Sequence, residues 1–363
     1  MTGIFTRWFQ KNFSSPQAVA LVVLLVVGFA LILILGDILN PLFIAIVFAY
    51  LLEWVVGTLH NKGCPRGLAV FTVFTGFIAL SLTTIFIFIP LIWNQVRSLL
   101  DDVPEMLVQG QEKLLQLPKE YPNFISEQQI QDLITSVASD IGSIGQVIVS
   151  ASYSSLINLM ALLIYMILVP LLVFFLMKDK TIILNWCFQW LPKDRKMVDR
   201  VWLEVNDQIG NYVRGKVAEI LIVGITTYIA FAIMGLDYAL LLSVLVGFSV
   251  LIPYIGAAVV TLPIAMIGYF QWGFEAQLWY LLLAHGIIQA LDGNVLVPIL
   301  FSEAVNLHPV AIISAVLLFG GIWGFWGIFF AIPLATLVKA VISAWQDNTS
   351  DGVIDGETIS DPS

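Results

Sequence analysis

The chain has 363 residues, 59% of them hydrophobic and 11% charged, with a mean hydropathy of +0.94. A soluble domain carries about 25% charged residues, so this composition excludes a soluble enzyme, a disordered chain and a coiled coil. It points to an all-α polytopic membrane protein. The net charge of −9 argues against a nucleic-acid partner, and two cysteines, Cys64 and Cys187, are too few for a disulfide framework.

After a short N-terminus (1–16), three transmembrane helices are expected within 17–93. The apolar runs are Ala18 to Leu35, Pro41 to Val56, and Leu68 to about Trp93. Each is close to the roughly 20 residues that a bilayer needs. A fourth span lies within 153–177. No cleavage-type signal peptide is visible, because the first run is long and is followed at once by another.

Basic residues set the expected orientation. The 94–152 segment holds three basic and eight acidic residues, and 178–216 holds eight basic and five acidic ones. The positive-inside rule places the N-terminus, the 57–67 loop and 178–216 in the cytoplasm, and 94–152 outside. Both cysteines then fall in cytoplasmic loops and are read as reduced thiols. Each long loop carries an apolar stripe at helical spacing. Ile130, Leu133, Ile134, Val137, Ile141, Ile144 and Ile148 form one; Val198, Val201, Val205, Ile209 and Tyr212 form the other. Both suggest amphipathic helices, lying on the membrane, against neighbouring subunits, or against the chain's own spans.

From Val217 to Val338 there is no Lys or Arg and only five acids. This belongs to the expected transport core, 217–345. The expected apolar segments are 217–234, 239–270, 278–300 and 309–338, which brings the total to about eight. Two are interrupted. The 239–270 run contains Pro253-Tyr254-Ile255-Gly256, and 309–338 contains Gly320, Gly321, Gly324 and Gly327, then Pro333. Pro and Gly free backbone groups that lipid cannot satisfy. The segments are kinked continuous helices, or broken helices and re-entrant hairpins lining a cavity, as at transporter sites. In either case the C-terminus is cytoplasmic. The tail, 346–363, has five acids and no base and is expected to be disordered.

His285, Gln289 and Asp292 share a helical face at i, i+4 and i+7. A polar stripe in an apolar span is costly toward lipid, so it should face protein or water. Asp292-Gly293-Asn294 then interrupts the segment before Pro298. An aspartate there accepts a cation, a proton or a substrate hydroxyl, or it merely caps the next helical piece. Asn306 and His308 precede Pro309. They open the last segment as a cap and turn, with His308 also a candidate proton carrier. Glu219 lies near Arg214 and Lys216 and is read as an ion pair at the cytoplasmic edge. Trp323 and Trp326 form a stacking wall for a ring-shaped ligand, an interfacial belt or packing. Hydrolase, metalloprotease and phosphate-loop motifs are missing, so no enzyme activity, metal or cofactor is expected.

The second half resembles the autoinducer-2 exporter family, the PerM-like permeases. The resemblance rests on Asn211-Tyr212-Val213-Arg214-Gly215-Lys216, Pro253-Tyr254-Ile255-Gly256, the stretch Gln289 to Pro298, Leu307-His308-Pro309, and Ala331-Ile332-Pro333-Leu334-Ala335. The layout matches over about 15–345. Two departures stand out: Asn306, where the family usually has Gly, and the bulky Trp323 and Trp326 among the glycines. The resemblance implies a homo-oligomer, a pentamer in relatives, in a bacterial inner membrane. It implies export of autoinducer-2, or exchange of sodium or lithium for protons.

A core with acids and no bases should disfavour anions and suit a neutral polyol or a cation. The leading expectation is export of a small polar, neutral metabolite by alternating access. The alternative is a sodium (lithium)/proton antiporter with Asp292 as the shared site. A third is a membrane scaffold that transports nothing.

Overall fold

The computed structural model describes residues 16–114, 155–189, 196–301 and 307–339, with isolated positions 128, 132, 135 and 136. Among these residues every regular element is helical. Six helices are long and apolar enough to cross a membrane, or seven if one bent pair is a single span. The 130–148 stripe, Asn306 and the acidic tail lie outside the described residues.

Helix α1 runs unbroken from Pro16 to Asn61. At ~1.5 Å per residue it is ~69 Å long, more than twice a ~30 Å hydrocarbon core. The residue pattern suggests two spans here, separated at Gly36-Asp37, but the helix passes straight through this point and through Pro41. Gly36 marks a close approach and no turn, since a Cβ there would sit 3.2 Å from the Trp323 indole nitrogen. Pro41 removes a single helical hydrogen bond, which an otherwise apolar helix of this length survives.

The third expected span also extends further than its hydropathy suggests. α2 (Arg66–Thr83) passes through a π-turn at Thr84–Phe88 into α3 (Ile89–Leu114). The helix therefore continues well past Trp93 into the acidic segment. α4 (Ser155–Lys178) meets α5 (Lys180–Gln189) at an 80° bend. α6 (Lys196–Met234) is one helix. It joins the amphipathic stripe to the following span. At the stripe's far end Tyr212 is buried against Phe301 and Phe329, so that end packs against its own chain.

The next two interrupted segments are both broken. α7 (Ala239–Ser249) and α8 (Ile255–Trp272) pack together as a helical hairpin around the turn at 250–254. With 11 residues, α7 reaches only ~16 Å, about half the core. α9 (Ala276–Leu291) continues through a π-turn, Asp292–Leu296, into α10 (Val297–Phe301). Pro298 has no N–H to give to the carbonyl four residues back, which favours the wider turn. Thus Asp292-Gly293-Asn294 loosens this helix without ending it. α11 (Pro309–Phe329) is reversed at Gly324, and α12 follows at 331–339. Gly324 adopts φ 59°, ψ −133°, a conformation open in practice only to glycine.

Each hairpin closes on a glycine. A Cβ on Gly256 would lie 1.8 Å from the Ser249 carbonyl oxygen, and one on Gly327 would lie 1.8 Å from that of Phe319. Other contacts hold the two units in place. Gln95 of α3 accepts from the Leu241 N–H at 2.8 Å, satisfying a donor in the first turn of α7. Tyr238 donates to Asp102, also of α3. Burial and then this carboxylate hold the Tyr238 phenol above its usual range. The second hairpin's turn rests on α1. There the Trp326 indole donates to Asn40 at 2.9 Å, and Trp323 meets Phe43 edge-on at 4.9 Å. Trp323 and Trp326 are therefore packing residues.

Candidate functional site

The two broken hairpins enclose a cavity of about 210 Å³ together with α6 and the α9–α10 turn. The first hairpin contributes Val250, Ile252, Pro253, Tyr254 and Ala257, and the second Ile312 and Ile332. The polar lining comes from Lys216 and Glu219 on α6 and from Gln289 and Asp292 on the helix carrying the π-turn. Tyr254 holds φ 65°, a strained value for a side-chain-bearing residue, and lies at the cavity wall.

Lys216 and Glu219 form a buried ion pair. Their side chains are 4% and 3% exposed, and Nζ donates to Oε2 at 2.7 Å. The same ammonium donates to the Val250 carbonyl at 2.8 Å, where α7 ends. It thus ties the tip of the first hairpin to α6 and offsets the negative end of a helix dipole. It also sits 5.4 Å from the Phe301 ring centre. Gly215 permits this approach, because a Cβ there would meet that ring at 2.7 Å. The ion pair expected of Glu219 is formed with Lys216, and it is buried at the cavity wall. Arg214 is not part of it; it turns outward and bonds Asn211.

Across the cavity two groups have no hydrogen-bond partner among the described residues. They are Asp292 Oδ1 and Gln289 Nε2, both buried. One is an acceptor and the other a donor, and Gly293 beside them leaves the wall open. A buried polar group without a partner is costly, so this pair is poised for a polar ligand or ordered water.

A model of the AI-2E transporter family matches residues 7–347. The chain belongs to this family. The protein named permease PerM in Escherichia coli (strain K12) is 48% identical over 347 residues, covering 96% of this chain and 98% of its own. The transport proteins YrrI and YueF of Bacillus subtilis (strain 168) are 27% and 26% identical over 85% and 83% of this chain, and over 87% and 82% of their own. The chain is thus a multi-pass membrane transporter.

Within this family frame, the candidate residues sort by position. Gln289, Asp292, Gly293 and Pro253 meet at the cavity. Gly256, Gly320, Gly324 and Gly327 shape the hairpins, and Pro333 is buried in α12. Gly321 has open space around its Cα and makes no close approach. Three candidates lie elsewhere. His285 is on the expected face but a turn away, bonded to Thr261 at 3.1 Å and covered by α8. Asn294 is exposed and donates to its own helix at the Ala290 carbonyl. His308 is exposed, and its Nδ1 accepts from the Val310 N–H at 3.3 Å, with Pro309 in the first turn of α11. This is a helix cap. His308→Ala is expected to cost about 1 kcal/mol, the usual worth of such a cap, and to leave transport unchanged; thermal unfolding and flux measured side by side check both.

Lys216 and Glu219 are the cavity residues that the residue pattern assigns elsewhere. The available signal was an acid and a base at i, i+3 running directly into an apolar span. The cavity is consequently not free of bases. Lys216 is nevertheless matched by Glu219, so the surplus at the site remains acidic.

Proposed function

We propose that this transporter exports a small, polar, neutral metabolite by alternating access and does not transform it chemically. The observation that carries the reading is the unpartnered pair Asp292 Oδ1 and Gln289 Nε2, facing a cavity between two broken hairpins. An acceptor and a donor one turn apart suit a hydroxyl-bearing solute. At about 210 Å³, the space is several times the ~30 Å³ share of one water in the liquid, which favours a small molecule over a bare ion. The acidic surplus disfavours anions. A neutral polyhydroxylated ring, such as uncomplexed autoinducer-2, fits these demands.

The two hairpins are proposed to be re-entrant, with their turns at membrane depth where they line the cavity. The cell membrane as location, cytoplasmic termini and a pentameric assembly complete the proposal. The rival is cation–proton exchange, in which the free Asp292 oxygen alternates between a proton and sodium.

Asp292→Asn tests the site in everted vesicles. It keeps the shape of the side chain but removes a charge-assisted acceptor worth ~1.5–3 kcal/mol, so apparent affinity for a labelled neutral polyol should fall about 10- to 100-fold. Unchanged export by a well-folded Asp292→Asn protein would falsify the site assignment.

A further inference from the structure

A second crevice lies apart from the transport cavity, between α1, the α4–α5 elbow and α6. Its inner half is apolar and includes Ala49, Ile183 and Trp202. Its outer half carries Lys180 and Arg214 with Glu53 and Asp207. Tyr50, Glu53, Lys180 and Asn206 line both halves, so the groove is continuous and amphiphilic.

Its level in the molecule suggests what fills it. α4 ends at Lys178, and the stretch of α6 without Lys or Arg begins only at Val217. Charged groups collect between these points, as they do where hydrocarbon meets lipid headgroups. Beyond the 80° elbow, α5 exposes Ile182 and Trp186, as an interfacial helix does.

The charges at the mouth narrow the choice. Glu53 Oε1 accepts from Arg66 at 2.9 Å and from Lys180 at 3.4 Å. Its Oε2 is buried with no partner among the described residues. Arg66 and Lys180 are over 40% exposed, so these pairs hold weakly and can share their charge. With two bases and two acids at the mouth, a purely anionic head would leave Glu53 and Asp207 facing negative charge. A head carrying a phosphate and a primary ammonium matches both signs. The phosphate meets Lys180 and Arg214, the ammonium donates to Glu53 Oε2, and one acyl chain lies along the apolar half.

We propose that this crevice binds a zwitterionic phospholipid of the phosphatidylethanolamine class. The test is native mass spectrometry of the full-length protein, equilibrated with equal phosphatidylethanolamine, phosphatidylcholine and phosphatidylglycerol. Methylation removes the ammonium donors, so phosphatidylethanolamine should be retained at least about tenfold over phosphatidylcholine, the loss expected for one charge-assisted hydrogen bond. Glu53→Gln should erase that preference. Ala49→Phe, which fills the apolar half without altering charge, should remove the bound lipid; if it lowers yield, the Glu53→Gln comparison alone decides. Equal retention of the three lipids, preference for phosphatidylglycerol, or a preference that survives Glu53→Gln would overturn the proposal.

Discussion

Replacing Gly256 or Gly327 with alanine is expected to abolish transport and lower the unfolding temperature sharply. In each case the new methyl would lie 1.8 Å from a backbone carbonyl oxygen across the hairpin. A flexible side chain could move aside, but a carbonyl inside a helix cannot move without shifting the helix. Overpacking of this kind costs ~1–3 kcal/mol even where side chains yield, and here the backbone must separate by more than 1 Å. The hairpins also wall the cavity, so function should fail with stability. Gly286→Ala is the control. Nothing lies within 4 Å of a Cβ at that position, and alanine favours the helix by ~1 kcal/mol. Thermal unfolding in detergent, followed by flux in vesicles, separates the cases. Normal melting of Gly256→Ala would mean that the hairpin is not packed as described.

Lys216→Met should be the most damaging change to the polar lining. It strips Glu219 of its partner inside the core and leaves the Val250 carbonyl without its donor. Breaking a buried pair from one side costs ~3–5 kcal/mol, whereas replacing both partners by apolar residues is often neutral. The double variant Lys216→Met, Glu219→Leu should therefore recover most of the lost stability. It should not recover transport, because the first hairpin is no longer tied to α6 and the cavity has lost half its polar wall. A double-mutant cycle on unfolding free energy measures this coupling. Additive losses would show that the pair is not coupled.

The breaks in the transport core were legible because Pro253 and the glycines at 320–327 are costly inside an apolar helix. The polar face of α9 was legible for the same reason, as lipid tolerates neither Gln289 nor Asp292. Other features depended on contacts distant in sequence. Gly36 looks like a turn until Trp323 is found against it. The Lys216–Glu219 pair is legible as an ion pair, but not its burial, which depends on Phe301 and Val250 packing over Lys216. His285 keeps its place on the polar face, but α8 covers that face one turn from the cavity. Asn294 fails for a local reason: two residues past Asp292 it lies about 200° around the helix, on the opposite face, where it bonds the Ala290 carbonyl.

The most direct test is transport by the purified protein in proteoliposomes, for the natural sequence and Asp292→Asn. A pH gradient is imposed, sodium is added, and proton flux and movement of a labelled neutral polyol are followed together. The natural sequence should move the polyol, Asp292→Asn should do so weakly, and sodium should trigger no proton flux. A sodium-triggered proton flux that disappears in Asp292→Asn, with no polyol movement, would contradict metabolite export and make Asp292 the site of cation exchange.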